Sequence, residues 1–227
     1  MKHILFIITS TNVIGNSNRS TGYEFSEVAD PYFEFINKGY TVDFASILGG
    51  IPPETGYDSG NENSKEFRNS NGFKRLNFSH KLSDITIEAY DAIFFPGGLG
   101  PMVDMVNNSL VKKVIRDVYE SGRVVGAVCH GPVAFLNVNL SDGSNLLSGK
   151  KVNSFTKAEE DKDGHTLVDV IPFMLDAELK NQGALFSSTT PFEPYVVVDD
   201  NLITGQNPAS ASGVAIEMMK LINTKYN

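Results

Sequence analysis

Cys129 and His130 are the neighbours in this chain best placed to do chemistry together. They lie in the stretch Arg123 to Leu136, RVVGAVCHGPVAFL. Arg123, Val124 and Val125 open a short apolar run that reads as a buried strand, and the run ends at Cys129. His130, Gly131 and Pro132 follow, then an apolar segment from Val133 to Leu136 with helical character. A strand, a sharp turn with a nucleophile at its apex and a helix make a nucleophile elbow. Gly126 and Gly131 flank the turn, where small residues let backbones approach and let the Cys adopt a strained conformation. Pro132 sits where a first-turn proline costs the helix nothing. A thiol at a helix N-terminus meets unpaired N–H groups and the positive end of the dipole. That predicts a thiol titrating below the roughly 8.5 of a free Cys.

Cys129 is the only cysteine of the chain, so it forms no intramolecular disulfide and no thiolate metal cluster. A lone Cys is ordinarily a small buried hydrophobe. A structural Cys, however, needs no turn built around it. A nucleophilic Cys needs a base, an acid to orient that base, and an oxyanion site. Adjacent residues at an elbow point in different directions, so the His130 ring is free to turn toward an acid after the next strand. Glu159, Glu160 and Asp161 follow the strand expected over Lys151 to Thr156, and spacing alone does not choose among them. Glu27 falls beside Phe25 and Val28 on an apolar-faced helix, where an ordinary solvated position is the default. Gly97 and Gly98 mark a tight turn after a strand. His3, His80 and His165 are scattered, and none has a metal-ligand spacing with another, so no metal is expected.

The elements that must position these groups alternate between strand and helix. Ile4 to Ile8 is a β-branched apolar run, the mark of a strand buried on both faces. Thr9 to Thr21 reads as a polar loop. Gly22 to Lys38 has helical spacing, with Phe25, Val28, Tyr32, Phe35 and Ile36 on one face, and Pro31 should kink or split it. Gly39 stops it, and Tyr40 to Ser46 is the second strand. Gly49 to His80 reads as a long irregular excursion with one short helix around Ser64 to Arg68. Ser83 to Ala89 suits a helical turn, and Ala92 to Phe95 a strand that breaks at Pro96-Gly97-Gly98. Ser109 is the expected N-cap of a helix to Glu120. After the elbow come a charged run, Lys157 to Lys162, and a helix over Ile171 to Lys180. Strands follow at Ala184 to Ser187 and Tyr195 to Val198, the latter in a hairpin with Asn201 to Thr204. Pro208 to Ile222 closes the chain as a helix.

This order, with no internal repeat and no linker, predicts one α/β domain over 1–227 with an insertion at about 49–80. Its sheet is parallel with helices on both faces, and ligands belong at the C-terminal strand edges. The motifs at Gly97-Gly98, Cys129-His130 and after Phe155 all fall at such edges. The net charge is −8, with no basic block, which argues against nucleic acid or an anionic membrane as partner. No apolar stretch approaches the roughly 20 residues that span a bilayer. MKHILFIITS fits a first strand better than a signal peptide. With one unpaired Cys, a reducing cytoplasm is the expected compartment.

TGYEFSEVADPYFEF, FFPGGLGP, AVCHGP, FTKAEE and ITGQNPASA together resemble the ThiJ/PfpI superfamily, relatives of the type I glutamine amidotransferase domain. The resemblance spans nearly the whole chain and is nearest the chaperone-like, glutathione-independent glyoxalase III subgroup. It implies a flavodoxin-like three-layer α/β/α sandwich and a cofactor-free lyase of the D-lactate dehydratase (hydro-lyase) class. Such an enzyme turns methylglyoxal and related 2-oxoaldehydes into 2-hydroxy acids such as lactate. It places the triad acid at Glu160 and brings Glu27 to the Cys129 sulfur. A carboxyl buried there has a raised pKa and can shuttle protons. Gly98 and His130 N–H groups would form the oxyanion hole, with Gly97, Gly98 and Leu99 facing substrate. Many relatives carry a polar residue at the position of Leu99, which cannot hydrogen-bond a substrate oxygen. Homodimers are common in the superfamily, although no interface is legible here. Two other readings are a chaperone-like stress protein with Cys129 as redox sensor, and an amidase or peptidase using Cys129, His130 and Glu160.

Overall fold

The structure, a computed structural model, describes residues 2–15, 19–162 and 173–225. Its centre is a sheet built from β1 (His3–Ile8), β2 (Thr41–Ser46), β3 (His80–Lys81), β4 (Ala92–Phe95), β5 (Val124–Val128), β6 (Val196–Asp199) and β7 (Leu202–Gly205). The order across the sheet is β6-β7-β5-β4-β1-β2-β3. All neighbours are parallel except β6 and β7, which form the expected antiparallel hairpin. The central strands are apolar throughout because both faces are covered.

The helices are α1 (Ser26–Asn37), α2 (Glu62–Asn69), α3 (Asn71–Leu76), α4 (Pro101–Asp104), α5 (Ser109–Glu120), α6 (Lys157–Lys162), α7 (Leu175–Asn181) and α8 (Ala211–Lys225). On one face of the sheet, Phe35, Phe67 and Met218 from α1, α2 and α8 pack with Phe6, Phe44 and Phe94. On the other, Val111 and Ile115 of α5 and Leu179 of α7 pack with Leu5, Ile93 and Val125. This is the three-layer α/β architecture the sequence implies. Gly126 lies in the middle of β5, and a Cβ there would sit 2.3 Å from Met218 Sδ. Its smallness serves the close approach of α8 to the strand rather than the elbow turn.

Several expectations change. The segment 49–80 is far more ordered than a loop. Glu54–Thr55 pairs with Tyr23–Glu24, and α2 and α3 follow. The Arg68 guanidinium lies 4.1 Å from the Tyr57 ring, 4.5 Å from Phe25 and 4.6 Å from Phe73, and pairs with the Glu54 carboxylate. A charged residue inside an aromatic cage replaces the apolar stripe that marks a helix in sequence. The loop 9–21 likewise contains a short antiparallel pair, Val13–Ile14 with Arg19–Ser20. Pro31 is buried inside an unbroken α1. Burial of Val28, Ala29, Tyr32 and Phe35 on that helix offsets the bond Pro31 cannot make.

The N-cap of α5 is Asn108, whose side chain accepts from the N–H groups of Leu110 and Val111. The expected strand over Lys151 to Thr156 shrinks to Lys151–Val152, paired with Leu185–Phe186 outside the main sheet. Beyond it the ladder gives way to other partners. Asn153 N donates to Thr204 Oγ1 at 2.9 Å, and Phe155 N to the Cys129 carbonyl at 2.9 Å. Residues 171 and 172 of the expected helix lie outside the described residues, as does His165. Among the described residues no helix is long and apolar enough to cross a membrane.

Candidate active site

Strand β5 delivers Cys129 to the C-terminal edge of the sheet, between β4 and β7. The Cys129 backbone has φ +59°, a region that costs a residue with a Cβ. Two bonds hold it there: Cys129 N donates to the Gly205 carbonyl at 2.9 Å, and Phe155 N to the Cys129 carbonyl. After His130 the chain turns into a five-residue 3₁₀ segment, Gly131–Phe135. Lys112 of α5 anchors that segment by donating to the Ala134 carbonyl at 2.9 Å.

The imidazole of His130 reaches both of its expected partners. Nδ1 lies 3.3 Å from Cys129 Sγ, and Nε2 lies 2.6 Å from Glu160 Oε1. A proton on Nε2, held by the carboxylate, leaves Nδ1 as the acceptor facing the thiol. The Phe155 ring packs against the imidazole, with centroids 4.8 Å apart and planes 34° apart.

Glu27 stands on the other side of the sulfur and is fully buried. Gly97 N donates to its Oε2 at 2.5 Å. A Cβ on Gly97 would fall 2.7 Å from that oxygen and 2.8 Å from Cys129 Cβ, so only glycine lets the two come together. Oε1 of Glu27 is buried without a hydrogen-bond partner among the described residues, and the carboxyl lies near enough to the Cys129 thiol for the two to influence each other's charge. Burial, and then the Glu24 carboxylate nearby, push the Glu27 carboxyl well above its ordinary range. The expectation of a protonated Glu27 therefore has a physical basis in the fold.

The thiol departs from expectation. Burial pushes the Cys129 thiol above its ordinary value, and a charged Glu27 would push it the same way. The N–H of Gly98 is the group that pulls it down. Cys129 is 4% exposed, and the element after it is a short 3₁₀ turn with little dipole, so desolvation wins over the helix terminus. Sγ and the Glu27 carboxyl thus behave as a coupled pair that resists carrying two negative charges.

The three acids after Lys151 separate cleanly. Glu160 meets His130. Asp161 is exposed and pairs with Lys157. Glu159 is buried and accepts from five donors: Thr156 N, Thr156 Oγ1, Phe192 N, Gln206 Nε2 and Asn207 Nδ2. Burial alone would raise its carboxyl, but those donors outweigh burial and hold it below the ordinary range. Glu159 N in turn bonds Thr156 Oγ1 at 3.2 Å, completing a capping box. Thr156-x-x-Glu159 is the sequence signal that identifies it. The anchor of the triad acid is therefore its own neighbour.

A pocket of about 260 Å³ opens above the sulfur, lined by Cys129, His130, Gly98, Leu99, Phe155, Thr55, Glu24 and Arg19 among others. Gly98 and Leu99 line this pocket with Cys129, whereas Gly97 packs against Glu27 and Cys129 Cβ. Thr55 is a pocket residue outside every quoted motif, and Glu24 and Phe155 fall inside TGYEFSEVADPYFEF and FTKAEE without having been assigned to the pocket, because the chain segments that carry the three meet only in the fold. Among the described residues there is no cluster of three or more His, Cys, Asp or Glu side chains able to hold a metal.

The chain is similar to several known proteins over nearly its whole length. Glyoxalase 3 of Candida albicans is 30% identical over 96% of this chain and 98% of its own length. The glutathione-independent glyoxalase HSP31 of Saccharomyces cerevisiae is 29% identical over 95% of each. The crystal structure of Rapid Encystment Protein 24 KDa from Francisella tularensis superposes with a TM-score of 0.92 at 37% identity, covering 98% of this chain and 99% of that one. The glyoxalase III crystal structure from Candida albicans gives 0.88 at 29% identity, covering 97% of each. The profile of the DJ-1/PfpI family matches residues 19–221, and with an elbow cysteine between a buried carboxyl and a histidine the chain belongs to that family.

Proposed function

We propose that this protein is a glutathione-independent glyoxalase, converting methylglyoxal or a related 2-oxoaldehyde to the 2-hydroxy acid through a covalent adduct on Cys129. The observation that carries the reading is the sulfur's position between two proton carriers. His130 Nδ1 lies 3.3 Å away on one side, and a buried carboxyl with a raised pKa lies on the other. A simple thiol hydrolase needs only the first. Relatives of similar length named as glyoxalases support the same reading.

The proton inventory closes. Sγ attacks the aldehyde carbon while His130 takes the thiol proton, and Glu27 protonates the new oxygen to give a hemithioacetal. Glu27, now a carboxylate, removes the C1 proton as His130 returns its proton to the C2 oxygen, leaving an enediol. The C1 hydroxyl proton passes to His130 and Glu27 protonates C2, giving a thioester of the 2-hydroxy acid. Water attacks that carbonyl and loses a proton to Glu27, and His130 protonates the departing sulfur. Both residues finish in their starting states. A thiol held neutral by burial fits this scheme, since His130 is placed to deprotonate it at the moment of attack.

A second reading, a cysteine amidase or peptidase, is favoured by the 2.6 Å His130–Glu160 contact. The deciding experiment measures lactate formed from methylglyoxal without glutathione, for wild type beside Cys129→Ser. Wild-type turnover with an inactive, folded Ser variant supports the proposal. Substantial activity in the variant removes the covalent mechanism, and amide turnover without lactate moves the protein to the hydrolase reading.

A further inference from the structure

We propose that the site is shaped for a 2-oxoaldehyde with a branched alkyl tail in preference to methylglyoxal, and that Leu99 sets this preference. The inference rests on the glyoxalase reading and deepens it. A pocket of about 260 Å³ has space for about eight waters at ~30 Å³ each. Methylglyoxal, with three carbons and two oxygens, leaves most of that space wet. The reacting carbon must sit at Sγ, so the unfilled part surrounds the tail.

The pocket that holds the sulfur has three apolar side chains in its lining. Leu99 follows directly on Gly98, whose N–H faces Sγ. Leu99 is partly buried against the core, which fixes its position. Phe155 faces the pocket from the other side, held against His130, and Pro208 adds a third apolar surface. None of these three side chains can hydrogen-bond a polar tail. Polar groups that line the pocket, among them Thr55 and Arg19, come from the 19–24 and insertion segments instead. A tail that covers Leu99 and Phe155 removes apolar surface from water on both partners, and each added buried methylene is worth a several-fold gain in kcat/KM. A methyl tail is too short to collect this gain.

The test compares kcat/KM for methylglyoxal and 4-methyl-2-oxopentanal, which carries an isopropyl group on the methyl carbon of methylglyoxal. Both are assayed on the full chain without glutathione. The expected wild-type ratio favours the branched substrate by about tenfold or more. Leu99→Met conserves apolar volume and should keep the preference. Leu99→Asn places an amide beside the tail, and the ratio should fall by about tenfold. A wild-type ratio at or below one overturns the inference while leaving the glyoxalase reading in place, as does a ratio that Leu99→Asn leaves unmoved. If the folded wild type turns over neither substrate, both fall together. Should Leu99→Asn fail to fold, the wild-type ratio and the Leu99→Met variant still decide the matter.

Discussion

Glu160 and Glu159 are adjacent and both buried, yet they face opposite ways: one meets His130 Nε2 at 2.6 Å, the other accepts five hydrogen bonds from the surrounding backbone and side chains. A single turn of helix thus carries a group that acts on the imidazole and a group that fixes where the first one stands. Phe192, one of the Glu159 donors, also packs its ring against Phe155 at 6.1 Å, and Phe155 packs on His130. The His130 imidazole is held from the acid side and from the ring face at once.

Glu159→Ala should therefore damage stability as well as turnover. It removes the acceptor of five donors. Gln206 Nε2 keeps the Thr189 carbonyl and Asn207 Nδ2 the Glu193 carbonyl, but Thr156 N and Oγ1 lose their buried partner, where each unsatisfied group costs about 1–3 kcal/mol before relaxation, and the cap of α6 dissolves. A net loss of at least about 2 kcal/mol in urea unfolding is expected, with a smaller loss for Glu159→Gln. An Ala variant as stable as wild type would show that the network is solvated and carries no strain of this kind.

Glu27 and Glu160 should differ in what their removal does. Glu27→Gln deletes the group that moves protons between the two carbons, so turnover should drop by at least the ~10²–10⁴-fold typical of a general acid or base. Adduct formation, read by intact mass after exposure to substrate, should survive at a reduced rate, since solvent can replace Glu27 as the acid for the new oxygen but not as the shuttle between the carbons. Glu160→Gln retains a hydrogen bond to the imidazole and should lose activity only in part. A neutral Glu27→Gln with a dead Glu160→Gln would make the site a hydrolase triad.

The raised Glu27 pKa also has a signature in stability. Its carboxyl titrates near 4.5 when exposed and well above that when folded, so between those values the native state binds more protons than the unfolded one. Stability then falls as pH rises through that window, by up to about 1.4 kcal/mol per pH unit from this group. Thermal melts from pH 5 to 8 should show wild type losing ground to Glu27→Gln as the pH increases. Parallel curves would mean that Glu27 is ionised in the native state at neutral pH.

Arg68 should prove the keystone of the insertion. Tyr23 N bonds the Pro53 carbonyl, Phe25 N bonds the Thr55 carbonyl, and Glu24 N bonds the Gly97 carbonyl. The start of α1 is therefore threaded between the insertion and the turn that holds Glu27. Arg68→Met loses the Glu54 pair and the cationic contacts with three rings, an expected cost of about 1–3 kcal/mol. Hydrogen exchange should quicken over residues 54–76 and 22–27 first. Uniform acceleration across the sheet instead would show that the cage has no local role.

The elbow was the most legible part of the molecule because its signals are local: an apolar run, a Cys-His apex, then Gly-Pro. β1, β2, β4 and α5 were legible for the same reason, each carrying its period within a few residues. The segment 49–80 was legible only in part: the short helix expected around Ser64 to Arg68 is α2, but α3 and the pairing of Glu54–Thr55 with Tyr23–Glu24 gave no local signal, and the segment is secured by Arg68, whose ring partners lie up to 43 positions away (68 − 25). The thiol's environment was misjudged because a helix N-terminus is visible in sequence while burial is not. Thr55 carries no mark of its own, and Glu24 and Phe155 lie in recognisable motifs that do not say they face a pocket, since the pocket wall arises only when separate chain segments meet.

The left-handed backbone of Cys129 sets the two demands on this position against each other. By conformation alone the site belongs to glycine, and any side chain there costs ~1–2 kcal/mol. A drift to glycine would relieve that strain, offset by the loss of a buried side chain and by glycine's greater freedom when unfolded, and would leave the elbow without its thiol. In a lineage that no longer needs the reaction, backbone conformation therefore gives this residue no protection against replacement.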